Sequence, residues 1–228
     1  MVVRTAVMDE IILRTINEQG FTQVINLAAG LDARPWRLAL PSTLRWVDVD
    51  HAVMLDEKQH TLAAERTSCV YEGARLDLAD VTARRELFAR LSAERRRTLV
   101  VAEGLLIYLD ADHVRSLAVD LATTPGFDLW LIDLASPQLL KVMRRSWGKT
   151  VAQGDAQFKF APVEGTAFFT PMGWHECEWR GTMDEGFRLN RTFPMARFWR
   201  FIGKFMPQSR RESFKRFSGM ALLQRVNL

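Results

Sequence analysis

At 228 residues, 48% of them hydrophobic and 25% charged, the chain can bury a sizeable core and is expected to form one domain over 1–228. Its two cysteines, Cys69 and Cys177, exclude a disulfide framework, and His175 with Cys177 lacks the second ligand pair of a zinc site, so no metal is expected. No apolar run reaches the roughly 20 residues of a membrane span and the amino terminus does not read as a signal peptide, so a cytoplasmic protein without a membrane partner is expected.

In chain order, Val3, Val7, Ile11, Ile12, Thr15 and Ile16 share one helical face, and Gly20 ends that helix. Val24–Leu27 then reads as a buried parallel strand followed by the small residues Ala28, Ala29 and Gly30. Further strands are expected at Leu44–Val49, Cys69–Gly73, Thr98–Ala102 and Phe127–Leu134, with helices at Ala52–Glu65, Val81–Glu94 and Asp112–Thr123 and a stop at Pro125-Gly126. Alternating strands and helices imply parallel pairing through right-handed crossovers. After Pro137 the pattern loosens, and "GWHECEWRG" and "GMALLQRV" read as two more short strands flanking helical and basic segments.

The formal net charge of +4 comes from one region: Phe187 to Phe217 holds nine Lys or Arg, one acid (Glu212) and eight aromatics. Such a stretch could contact nucleic acid or an acidic membrane. With Phe198, Phe201 and Phe205 at helical spacing, it reads better as a helix packed on the sheet with its arginines snorkelling outward, so no nucleic-acid partner is expected.

The chemistry gathers at the strand ends. Ala28, Ala29 and Gly30 leave little side-chain bulk, so a ligand could approach the backbone there. Asp48 and Asp50, eighteen and twenty residues beyond Gly30, arrive at the carboxyl end of the next strand, where an acid accepts hydrogen bonds from ribose hydroxyls. Because Ala28 stands where a G-x-G-x-x-G fingerprint has its first glycine, the turn reads equally as a ligand site or a plain connection. Asp77 could accept from an exocyclic amine or serve as an acid at a helix amino terminus. Glu103, closing an apolar strand, is expected to face a crevice and could pair with a ligand ammonium. Asp32 and Arg34 are expected to pair and brace the turn.

The segments "VINLAAGLDARPWRL", "WVDVDHAVMLDEK", "RLDLAD" and "VAEGLLIYLDADHV" resemble, in order and spacing, the motifs of the leucine carboxyl methyltransferase family. These are S-adenosylmethionine-dependent enzymes that include bacterial O-methyltransferases of polyketide tailoring. The likeness runs from about Arg4 to Leu134 and resumes at "GTAFFTPMGW" and "GMALLQRV". It implies an α/β fold: a doubly wound, mostly parallel, seven-stranded Rossmann-like methyltransferase sheet with an antiparallel last strand. It implies S-adenosyl-L-methionine as cofactor, with Gly30 and Glu103 toward its methionine, Asp50 or Asp48 at the ribose, and Asp77 with Leu78 at the adenine. Ala28, where the family's G-A-G-L-D-T-R pattern has glycine, would lie against the amino-acid moiety. Arg4 would stand near the cofactor carboxylate or the acceptor, and Tyr108 would position the acceptor. Relatives carry an amino-terminal extension with lid helices ahead of the segment beginning here at Arg4, so a missing or shortened lid and a more open site are expected.

The implied reaction is O-methylation of a carboxylate or hydroxyl on a small-molecule acceptor, such as a polyketide-type metabolite. A carboxylate, whose ordinary pKa lies near ~4, needs no general base, whereas a hydroxyl could recruit His51 or His175. Two alternatives stand beside this. An inactive or truncated relative would serve as a cofactor-binding module. An NAD(P)-dependent oxidoreductase would suit the crevice, but no Tyr-x-x-x-Lys pair is present, since Arg75 and Asp112 follow Tyr71 and Tyr108 at that spacing. The sequence leaves oligomeric state open.

Overall fold

The computed structural model describes residues 2–152, 157–192 and 215–226. The expected packing of Phe198, Phe201 and Phe205 lies outside the described residues. In order, the elements are α1 (Val2–Gln19), β1 (Gln23–Leu27), α2 (Arg34–Arg37), β2 (Arg45–Asp50), α3 (Ala52–Thr61), β3 (Val70–Arg75), α4 (Val81–Ser92) and β4 (Thr98–Ala102). A 3₁₀ turn (Leu106–Tyr108), α5 (Ala111–Thr123), β5 (Phe127–Ala135), α6 (Pro137–Ala152), a 3₁₀ helix (Gly165–Met172), β6 (Trp174–Gly181), α7 (Thr182–Arg188) and β7 (Ser218–Arg225) follow.

The strands form one seven-stranded sheet in the order β3-β2-β1-β4-β5-β7-β6. β3 through β5 pair in parallel, and β7 runs antiparallel to both β5 and β6, as expected for a doubly wound sheet with an antiparallel last strand. Side chains alternate between two faces along each strand. Ile25, Val47, Val100, Trp130 and Ala221 pack on one face under Phe88 of α4 and Leu117 of α5. Val24, Trp46, Leu99, Leu131 and Leu222 pack on the other against Val7, Ile11 and Ile12 of α1. Burial on both sides explains why the central strands are nearly continuous apolar runs.

Several boundaries differ from expectation. α3 ends at Thr61 and α4 at Ser92, each short of the glutamate expected to close it, because few residues beyond those points are buried. β3 extends to Arg75, and the ladder continues as the Leu76 N–H donates to the Asp50 carbonyl at 2.9 Å. The tail also holds two elements without a clear sequence signal, α6 and the 3₁₀ helix. The latter is anchored by aromatic contacts, with the Phe169 ring 5.3 Å from Trp130 and 5.2 Å from Phe168. Among the described residues, no helix is long and apolar enough to cross a membrane.

Candidate functional site

Because β1, β2, β4 and β5 are parallel, their carboxyl ends share one edge, and the turns leaving them meet there. In the turn after β1, Ala28 and Gly30 both adopt left-handed backbone, at φ 51° and 48°, and a Cβ placed on Gly30 would meet no atom within 4 Å. Asp50, at the end of β2, captures this turn: Oδ2 accepts the Gly30 N–H at 2.7 Å, and Oδ1 accepts the His51 N–H at the start of α3, also at 2.7 Å. A carboxylate has about four acceptor positions, so about two remain for a ligand.

Two cavities open along this edge and share Ala28. One, of about 320 Å³, is lined by Ala28, Asp50, Asp77, Leu78, Leu105 and Tyr108 among others. The second, of about 530 Å³, is lined by Arg4, Ala28, Gly30, Asp32, Arg34 and Glu103 among others. Meeting at Ala28, the two form a trough whose first part sets Leu76, Leu78, Leu105, Leu109 and Leu117 among charged residues that include Asp50 and Asp77, and whose second part holds the Arg4, Asp32, Arg34 and Glu103 cluster.

In the second cavity, Arg34 is the central strut, with a side chain only 2% exposed. Its Nε donates to Asp9 Oδ1, Nη1 to Asp32 Oδ2 and Nη2 to Glu103 Oε2, each at 2.6 Å. The expected Asp32–Arg34 brace is therefore present and reaches further, into α1 and the turn leaving β4. Glu103 Oε1 also accepts from Arg4 Nε at 2.8 Å and Thr5 Oγ1 at 3.3 Å. Burial alone would raise the Glu103 pKa, but the Arg34 and Arg4 guanidiniums overcome it and hold the carboxyl below the usual glutamate range. Burial likewise works against the charge of Arg34, and Asp32 and Glu103 outweigh it, raising that pKa.

Asp48 does not belong to the trough, and its place as an alternative ribose acceptor is corrected. It is fully buried on the Trp46 side of β2. Oδ1 accepts from Trp46 Nε1 at 2.8 Å and Asn26 Nδ2 at 3.1 Å, and Oδ2 from Lys58 Nζ at 2.7 Å and Tyr71 Oη at 3.0 Å. Four donors on two oxygens saturate it. Burial pushes its carboxyl up, against the pull of Lys58.

Asp77 and Leu78 line the first cavity. Asp77 accepts the Ala79 N–H at 2.9 Å, whereas the amino-terminal cap of α4 is Asp80, which accepts the Ala83 N–H at 3.0 Å. Asp77 thus precedes the cap of α4 by three residues and is not itself the capping residue. Tyr108 lies in the first cavity, 40% exposed with its ring 5.6 Å from Phe158, while Arg4 lies in the second. The two residues expected to take part in catalysis or acceptor positioning therefore line different cavities. His51 lines the first cavity; His175, on β6, lines neither. Asn26, Lys58 and Asp133 are residues that the sequence reading does not single out, whereas Asp9 belongs with Arg4 and Thr5 to the family pattern. Asp133 did carry a signal, an acid interrupting the apolar run of β5 near its carboxyl end, as Glu103 closes β4.

The family described as leucine carboxyl methyltransferase matches residues 1–122. The chain belongs to the leucine carboxyl methyltransferase family. The matched span includes Arg4, Ala28, Gly30, Asp50, Asp77, Leu78, Glu103 and Tyr108, whereas Asp133 lies beyond it. A Parafrankia protein named "Putative S-adenosyl-L-methionine-dependent methyltransferase" is 35% identical over 137 residues, covering 58% of this chain and 44% of the relative. A Mycobacterium bovis protein of the same name is 28% identical over 218 residues, covering 92% of this chain and 63% of the relative. This chain thus spans less than two-thirds of either. Among solved structures, a DUF574-family protein from Streptomyces avermitilis superposes with a TM-score of 0.65 at 13% identity, covering 98% of this chain and 82% of the other. Magnesium protoporphyrin IX methyltransferase from Synechocystis, solved with bound SAH, gives 0.55 at 11% identity, covering 98% and 84%. These two likenesses concern the fold.

Proposed function

We propose that the chain forms one methyltransferase domain, residues 1–228, which binds S-adenosyl-L-methionine and methylates a carboxylate or hydroxyl oxygen of a small molecule, of the polyketide-metabolite kind. The observation that carries this reading is the trough: leucines with the acceptors Asp50 and Asp77 in one cavity, Arg4 and Glu103 in the other, and the two meeting at a turn with open space above Gly30.

The donor set fits the cofactor part by part. Leu78 and Leu105 offer apolar surface for an adenine, and the exposed Asp77 offers an acceptor for its amine. Asp50 retains acceptor capacity for ribose hydroxyls. Arg4 and Glu103 present both signs of charge, as a zwitterionic amino acid requires. When bound, the cofactor supplies a methyl group already activated on a sulfonium. The protein's task is then alignment. Arg34 fixes Glu103, Asp50 fixes the turn, and Tyr108 stands at the cavity rim to orient an acceptor. A carboxylate acceptor, ionised at neutral pH, requires no proton transfer; a hydroxyl would call on His51, the histidine nearest Asp50 in sequence and in the same cavity.

A screen of small carboxylic acids and phenols with S-adenosylmethionine, read by mass spectrometry, tests the reaction. The expected result is a methylated product that mild base cleaves if it is an ester and spares if it is an ether. Absence of any methylated product from a chain shown to bind the cofactor would favour a cofactor-binding module instead.

A further inference from the structure

We infer that Asp133 is a positioning residue for the amino-acid end of the cofactor, acting through Arg4. The inference deepens the cofactor reading above and rests on it.

Asp133 sits near the carboxyl end of β5, with its side chain 21% exposed. Its Oδ2 accepts from Arg4 Nη1 at 2.8 Å, and its Oδ1 accepts the Gly104 N–H at 2.6 Å. Glu103, the first residue after the neighbouring strand β4, holds Arg4 Nε at 2.8 Å. Two of the three guanidinium nitrogens are thereby fixed from adjacent strand ends by charge-assisted bonds, which are shorter and stronger than neutral ones. Nη2 has no acceptor among the described residues, and Arg4 lines the charged cavity. A planar group held at two corners has its third corner placed, which is the condition for recognising a carboxylate without a rotational search.

Gly104 completes the arrangement. At φ 71° it takes a left-handed turn, and a Cβ there would lie 3.5 Å from Arg4 Nη1 and 3.6 Å from Nη2. The left-handed backbone after Glu103 suits glycine, and the bond from the Gly104 N–H to Asp133 fixes that turn beside the guanidinium. Asp133 thus orients the cation and the backbone leaving Glu103 together. Only the amino-acid half of S-adenosylmethionine carries a carboxylate, so the adenosine half should not depend on Asp133.

That difference supplies the test. The full chain and its Asp133→Asn and Arg4→Met variants, singly and combined, are titrated calorimetrically with S-adenosylhomocysteine and with 5′-methylthioadenosine, which lacks the amino acid. Asp133→Asn is expected to weaken S-adenosylhomocysteine by about tenfold or more and to leave 5′-methylthioadenosine within about twofold. Arg4→Met should show the same split, and the double variant should bind no more weakly than the worse single one, as for residues acting in one unit. Asp133→Ser, which retains an acceptor for Gly104 and removes the carboxylate, is read identically should Asp133→Asn not fold. Equal losses for both compounds, or unchanged S-adenosylhomocysteine binding, would overturn the assignment. A folded wild-type chain that binds neither compound would remove the cofactor reading itself, and this inference with it.

Discussion

At φ 51°, Ala28 holds a backbone conformation that its Cβ disfavours by about 1–2 kcal/mol. The family pattern has glycine there, so Ala28→Gly is expected to stabilise the protein by about 1 kcal/mol, seen as a higher urea midpoint at unchanged slope. Lys58 is the opposite case, 1% exposed and bonded to Asp48. Removing one partner of a buried pair strands the other charge, so Lys58→Met should cost about 3–5 kcal/mol in the same assay. Glu103 adds a pH dependence. Its folded pKa is lowered relative to the ordinary 4.5, so the stability it contributes is full above that value and is lost as pH falls through the lower folded pKa. Urea midpoints should therefore fall with acidification below about pH 4.5 and fall less steeply in Glu103→Gln. Strand position alone does not separate Asp48 from Asp50, although the family resemblance favours Asp50. They lie two apart in one strand and so share a face; what distinguishes them is Lys58, arriving from α3 to saturate one and not the other.

At the scale of elements, the chain was legible wherever burial follows a simple period. α1, β1, β4 and β5 stood out because apolar residues recur at helical spacing or run continuously between small-residue turns. The 3₁₀ helix Gly165–Met172 did not, because Phe168 and Phe169 are adjacent aromatics packed with Phe160, Trp130 and Trp174 rather than a periodic face. The β6–β7 pairing depends on a missing side chain. A Cβ on Gly219 would lie 2.5 Å from the Trp179 ring and 2.6 Å from the Arg180 carbonyl. Gly219→Ala is accordingly expected to destabilise the protein by about 1–3 kcal/mol through overpacking, measured by thermal or urea unfolding. A wild-type midpoint in that variant would show that β6 is less tightly seated than these contacts require.

For the whole molecule, fold and site were readable together because a parallel sheet brings all its carboxyl ends to one edge. Residues far apart in sequence, Arg4, Asp50, Glu103 and Asp133, meet there by topology rather than by local motif. The charged struts at that edge were less legible, since Arg34 reaches Asp9 on α1 and Glu103 in the turn leaving β4, contacts that no sequence spacing encodes. Everything proposed for the reaction depends on this trough taking S-adenosylmethionine. Calorimetric titration of the chain and its Asp50→Ala variant with S-adenosylmethionine, S-adenosylhomocysteine and NAD tests that most directly. Saturable binding of the two adenosyl compounds and none of NAD is expected, with affinity reduced about tenfold or more in a folded Asp50→Ala. Binding of NAD, or no binding of any of the three by the folded chain, would contradict it.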